Sequence, residues 1–488
     1  MPHNAAPADS TTSPRAIWSL TWPQLLMMYV QFFSGFVTVW TAGRISADLQ
    51  AALGMISQCG VFFLALCLAL SSGGMAAVSQ SFGAGRMARA RRYVAASIGG
   101  TALLGCVMAL VCTAFGAPFL RLVQTPDAIL PLALDLWPVA MLALPFQYLY
   151  ASSGVMFRAS RQVLPPLWVA ALVCAVTLIG CLGFGLGFFG LPNFGAQGII
   201  WTHCGGHLTG AAANLFLLRR RGLLRAAAVP GPRWLRAGLP YLLRVALPAG
   251  AAQIVWQTGY LMLFVLVASL PLGSVHALAG LTAGLRIEAL LFMPGMAFNM
   301  SAAVLVGNCL GAGDKARASR VSLQMVGIAA AIMSLVAAAL WPFRQDLAAI
   351  LSHEAETRAV IVSYLTYNLL STPFSIASTV MGGVMAGAGA TRYNLMVYGG
   401  TFWLLRLPLG WLLGHRLWGT ASGVFCAMLV SQCLQTFIML YVLRRRDWAR
   451  FAMRAQSARN AVRPGTPPSA GGHDAQSGRT ASATRTPS

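Results

Sequence analysis

Charge is scarce in this chain. Only 9% of its 488 residues are Asp, Glu, Lys or Arg, against about 25% in a soluble domain. That shortage excludes a soluble globular enzyme. A disordered chain is excluded as well, since 57% of the residues are hydrophobic. Lysine is nearly missing, Lys315 being the sole example, and acid is rare, with 11 Asp+Glu against 34 Lys+Arg. The ten cysteines, from Cys59 to Cys433, contain no Cys-x-x-Cys pair and stand in apolar stretches. They read as small buried hydrophobes, not as a zinc or redox site. Walker loops, nucleophile elbows and paired catalytic carboxylates are not found. No enzyme activity and no cofactor are expected, and any work the protein does is expected to draw on an ion gradient.

Long apolar runs take the place of charge, and the mean hydropathy is +0.68. A membrane helix needs roughly 20 residues. Runs of that length fall at 16–42, 50–79, 93–118, 130–156, 163–189, 195–218, 238–270, 277–308, 320–343, 358–386, 393–414 and 417–443. The fold class is therefore an all-α membrane protein with twelve transmembrane helices. With the N-terminus inside, 27 Lys/Arg fall in inner segments and 5 in outer loops, leaving Arg286 and Arg406 within spans. Both termini are expected in the cytoplasm of a bacterial inner-membrane, multi-pass protein. The first span lacks a cleavable leader pattern and is expected to be retained. The net charge of +23 thus speaks for loop topology and not for nucleic acid.

The halves repeat. Gln80-Ser81-Phe82-Gly83-Ala84-Gly85 after the second span matches Asn308-Cys309-Leu310-Gly311-Ala312-Gly313 after the eighth, at an offset of 228 residues. Each half holds six spans, an even number, so both insert the same way and form two pseudo-symmetric six-helix bundles. The expected division is 1–15 N-terminal tail, 16–218 first bundle, 219–237 cytoplasmic linker and 238–443 second bundle. A basic, disordered tail is expected over 444–488.

Ten of the eleven acids sit in tails or near loops; Glu288 alone lies deep in a span. A charge there costs roughly 3 kcal/mol on insertion scales and commonly faces a cavity or partner. Its carboxylate suits a proton, a sodium ion or a cationic substrate, and exclusion of one by another is the minimum for antiport. A fixed hydrogen bond or a pairing with Arg406 is the structural alternative; Arg286, two residues away, lies on another face. Gln31, Ser34 and Thr38 share one helical face, and Gln253 and Gln257 another. With Asn299, Tyr364, Tyr367 and Asn368 they are candidates for cavity lining or for interhelical hydrogen bonds. His203 and His207, at i and i+4, could hold a metal or relay a proton, but no third ligand is near; helix packing is the expectation. Pro23, Pro248, Pro294 and Pro373 should bend their spans.

Val306-Gly307-Asn308-Cys309-Leu310-Gly311-Ala312-Gly313-Asp314 resembles the corner after the eighth helix of MATE (multidrug and toxic compound extrusion) transporters. Gly387-Ala388-Gly389-Ala390-Thr391-Arg392 with Arg406-Leu407-Pro408-Leu409 resembles that family's tenth-to-eleventh helix region, and Gly43-Arg44 fits too. Gly284-Leu285-Arg286-Ile287-Glu288 with Met293-Pro294-Gly295 is similar to a bacterial subgroup. The resemblance, over roughly 16–445, implies two bundles about a V-shaped cavity. It implies secondary active antiport of small organic, cationic or amphipathic compounds against protons or sodium ions. Family acids are replaced here by Thr38, by Gln257 and by Ala390, which leaves Glu288 as the coupling group and Arg406 as a structural charge. The expected partners are a small-molecule substrate and the lipid bilayer, with the chain a monomer. A lipid-linked oligosaccharide flippase of the same superfamily, a major facilitator symporter and a non-transporting scaffold are the alternatives.

Overall fold

The computed structural model describes residues 13–123, 125–271 and 273–453. Its first half holds α1 (Pro14–Ile45), α2 (Ala47–Gly83), α3 (Met87–Ala114), α4 (Gly116–Leu122), α5 (Leu130–Leu142), α6 (Leu144–Ala159), α7 (Leu164–Gly180) and α8 (Gly195–Arg220). The second half holds α9 (Pro232–Ala268), α10 (Ser274–Ala312), α11 (Lys315–Leu340), α12 (Arg344–Leu351), α13 (Ala355–Ala388), α14 (Thr391–Gly400), α15 (Leu407–Trp411) and α16 (Ala421–Arg445). Short polar caps separate the long apolar helices. Ser46 ends α1 and starts α2, its hydroxyl accepting from the Leu49 N–H. Asp314 does the same for α11 through the Arg317 N–H at 2.8 Å.

Nine of these helices, α7 being counted together with the π turn Cys181–Gly185, are long and apolar enough to span. A tenth span is α5 and α6 together, bent by 45° where Pro145 opens α6 without an N–H to offer. The remaining two of the twelve are α8 and the run 391–417. In that run π turns at Thr401–Arg406 and Leu412–Leu417 interrupt α14 and α15.

Each half builds its own core. In the first, Trp137 donates to the Cys112 carbonyl at 2.8 Å and Tyr148 to that of Phe63 at 2.5 Å. In the second, glycines bring α13 against α10, with Gly383 facing the Asn299 carbonyl and Gly387 that of Ala303.

The two halves meet at the end that carries the basic loops. There α2 crosses α10 so closely that a Cβ on Gly83 would strike the Asn308 carbonyl, and one on Gly311 that of Gln80. Gln80 and Asn308 are themselves 228 residues apart, as are Gly83 and Gly311, so the crossing sits on the pseudo-twofold axis. Ser301 binds both Thr21 at 3.0 Å and Gln24 at 2.8 Å across the same interface. Toward the other end Gly35, Gly54 and Gly60 have open space above them. The bundles thus touch at the basic end and part at the opposite one.

Residues 444–453, expected to open the tail, are packed against the bundles. The end of α16 continues into a turn over Trp448–Phe451, and Trp448, Ala449 and Ala452 are buried in the second bundle's core. Met453 enters the first bundle's core beside Tyr241 and Leu242. Apolar side chains placed right after the last arginines of α16 account for this. Residues 454–488, and the N-terminal residues before Ser13, lie outside the described residues.

Candidate functional site

Glu288 stands about a third of the way along α10, half-buried in a narrow cleft against α13. Leu291, Phe292, Asn368, Ser371, Thr372, Ser375 and Ile376 line that cleft with it. The Tyr364 hydroxyl, itself buried, donates to the Glu288 carboxylate. Ser371 and Thr372 donate to the Asn368 carbonyl at 2.9 and 2.8 Å, leaving their oxygen lone pairs free. The Asn368 side-chain oxygen is buried without a hydrogen-bond partner. One carboxylate thus shares a cleft with several neutral oxygens, a donor set that suits a hard monovalent cation or a proton.

Arg406, delivered by the first π turn of 391–417, is fully buried beside this cleft. It does not form an ion pair within 4.0 Å with Glu288. Its Nε donates to Ser431 at 2.8 Å and its guanidinium lies 4.4 Å from the Phe402 ring centroid, with Tyr260 nearby. The direct tether that the sequence suggested is therefore replaced by a side chain held by Ser431 and Phe402, close enough to attract Glu288 but not to cover it. Arg286 is exposed on another face of α10.

The other expected residues separate. Gln253 and Gln257 on α9 are exposed where the bundles part. Gln31 on α1 is exposed as well and lies near Tyr150 of α6. Thr38 donates to the Ser34 backbone carbonyl at 3.2 Å, a bond along α1 that does not use the Ser34 hydroxyl. Asn299 donates to the Thr379 carbonyl at 2.6 Å and ties α10 to α13, an interhelical hydrogen bond of the kind the sequence left open for it. Tyr367, partly buried, packs on the apolar cluster around Leu365 and Phe425. Which side of a helix meets a neighbour is not revealed by polarity alone.

Tyr260 was missing from the sequence reading, although it falls three residues after Gln257 on the same face of α9. It stacks near Trp256 and Phe402, with centroids 5.1 and 5.4 Å away, and supplies an aromatic wall. Gln80 gave no signal beyond its place in the repeat. Its Nε2 donates to the Gly387 carbonyl at 2.9 Å, and its Oε1 accepts from Tyr241 at 3.2 Å and from the Met453 N–H at 2.9 Å.

The MatE family model matches residues 23–182 and again 248–412. The chain belongs to the MATE family. The two matched segments fall one in each half, as the repeat requires. Among relatives of this MATE protein, the probable multidrug resistance protein NorM of Bradyrhizobium diazoefficiens is 30% identical over 84% of this chain and 88% of its own. Protein DETOXIFICATION 39 of Arabidopsis thaliana is 24% identical over 89% and 84%. The Vibrio cholerae MATE transporter VcmN superposes with a TM-score of 0.82 at 19% identity, over 90% of this chain and 99% of that one. An outward-facing multidrug resistance MATE transporter superposes at 0.80 with 17% identity, over 90% and 96%. These neighbours are transporters with twelve helices in two bundles, and this chain is a multi-pass membrane transporter of that family, not an enzyme.

Proposed function

We propose that this MATE protein exports small organic cations or amphipathic compounds across a bacterial inner membrane, in exchange for protons or sodium ions that bind at Glu288. The observation that carries the reading is the half-buried Glu288 carboxylate, held by Tyr364 and facing Asn368, Ser371, Thr372 and Ser375. A cationic solute and a coupling ion cannot both neutralise one carboxylate, so binding of one releases the other. The rings of Trp256 and Tyr260, backed by the buried Phe402, offer the flat apolar and cation–π surface that such solutes use. With the basic loops in the cytoplasm, both termini are inside and the parted end faces outward, the state that receives the coupling ion. Alternating access then rocks one bundle against the other. A flippase for lipid-linked diphosphates would need arginines facing the cavity, whereas Arg406 is fully buried against Ser431 and Phe402.

The test is efflux of a fluorescent organic cation from proteoliposomes under an imposed pH gradient and, separately, a sodium gradient. Glu288→Gln keeps the side-chain size and removes the charge. The variant is expected to insert normally and to lose gradient-driven efflux, with the effective gradient naming the ion. Equal efflux by the two proteins would sink the coupling role.

A further inference from the structure

The exporter reading leaves one pair of ionisable side chains unused. His203 and His207 lie one turn apart on α8, in the bundle that lacks Glu288. Their Nε2 atoms stand 3.1 Å apart, with the rings edge to face at 80°. In the neutral pair one Nε2 donates and the other accepts, so the rings hold different tautomers. The Nδ1 of His207 is buried with no hydrogen-bond partner, an arrangement that is costly for either tautomer. When His207 is the donor, that Nδ1 carries an open lone pair. A proton landing on it makes His207 an imidazolium, and its Nε2–H then donates a charge-assisted bond to the Nε2 of His203. One proton is gained, the pair carries one positive charge, and no other bond changes.

We infer that His203 and His207 form a second proton-binding site of this transporter, a proton taken up at the His207 Nδ1 turning the existing hydrogen bond between the two Nε2 atoms into a charge-assisted one. The surroundings give that charge no carboxylate. From α6 the pair meets Tyr150, whose ring centroid is 6.1 Å from that of His207, with Arg158 beyond it. From α7 comes Cys174, near Tyr150; α8 itself carries Cys204 next to His203 in the chain, and α1 brings Gln31 near Tyr150. On α1, Arg44 lies over Trp40 near the helix end. On α5, Asp135 is occupied by the Gln197 side chain at 2.8 Å, six residues before His203, or roughly 9 Å along the helix. A protonated pair therefore adds its charge to that of the buried Arg158 in the first bundle and repels an organic cation bound there. That exclusion step rests on the exporter reading; the proton site itself does not.

The direct test is 15N NMR of the full chain, histidine-labelled and in detergent, between about pH 8 and about pH 5. One protonation step moving the resonances of both rings together, and lost from His203 in His207→Asn, is the expected result. Rings that stay neutral throughout, or titrate independently in the wild type, overturn the site without any appeal to a variant's folding. The second test is organic-cation efflux as a function of pH. His203→Asn and His207→Asn should each flatten the pH dependence by about tenfold, with the double variant no worse than either. Unchanged pH dependence in both variants overturns the exclusion step. A Glu288→Gln protein that transports normally while the histidine variants lose their pH dependence removes the role of Glu288 and leaves the histidine site standing.

Discussion

Glu288 is held by one phenol and shares its cleft with hydroxyl and amide oxygens, with the nearest cation drawn aside. The Tyr364 hydroxyl is the donor that positions the carboxylate. A hydrogen bond to a charged group is worth about 1.5–3 kcal/mol, which is about tenfold or more in an ion equilibrium. Tyr364→Phe should therefore retain the coupling ion more tightly and turn over more slowly. A titration of efflux against coupling-ion concentration reads the shift, and an unchanged half-saturation point would remove Tyr364 from the site. At the parted end, Glu354 is held below the usual carboxylate range, first by the Thr357 hydroxyl at 2.7 Å and then by His276 at 3.3 Å. A depressed folded-state pKa stabilises the protein above the unfolded value of about 4.3, and this is lost as pH falls through the folded value. Thr357→Val should lower the melting temperature at neutral pH, and the difference should disappear in acid.

At the scale of elements, the α2–α10 crossing is where an added methyl group has most to say. Gly83 and Gly311 each face a backbone carbonyl of the other helix, and a backbone cannot turn aside as a side chain can. Gly83→Ala and Gly311→Ala should each cost about 1–3 kcal/mol of the closed arrangement. The double variant should cost less than the two together, because helices already forced apart make room for the second methyl. Maleimide labelling of Cys309, buried beside the crossing, read by mass spectrometry, should rise in each variant. Gly383→Ala supplies the contrast: it meets the Asn299 carbonyl within one bundle, so it should lower folding yield without exposing Cys309 in the protein that folds.

For the whole molecule, the segment after α16 is a strap across the two bundles. Asp447 lies 3.8 Å from Lys315, Trp448 fills the second bundle, and the Met453 N–H binds Gln80 of the first at 2.9 Å. Rocking the bundles apart at this end must break at least the Met453 contact. Removing the chain from Asp447 onward should therefore favour the state open at the basic end, seen as faster labelling of Cys309 in a protein that still inserts. Labelling equal to that of the full chain would mean that the crossing alone holds the closure. None of this was legible in the sequence, where the segment reads as the start of a polar tail. The site was partly legible: Glu288 stood out because acids are so few, and Tyr364 and Asn368 were among the polar candidates. Whether Asn299 and Tyr367 line a cavity or meet a neighbouring helix, and that Tyr260 stands beside the site, depends on the rotation of each helix, which the sequence does not give.

Local composition by itself determined the number of spans, the repeat at 228 residues and the end of the bundle where arginines gather. Membrane insertion responds to apolar length and to flanking charge, both of which are local quantities. Tertiary structure alone decided which polar groups meet. Glu288 and Tyr364 are 76 residues apart and Gln80 and Gly387 are 307 apart. The reason is the solvent: lipid and protein interior are both apolar, so hydropathy does not mark the inward face of a membrane helix as it does in water. Only the packing of small residues at the crossings fixes how each helix is turned, and with it which oxygens line the cleft beside Glu288.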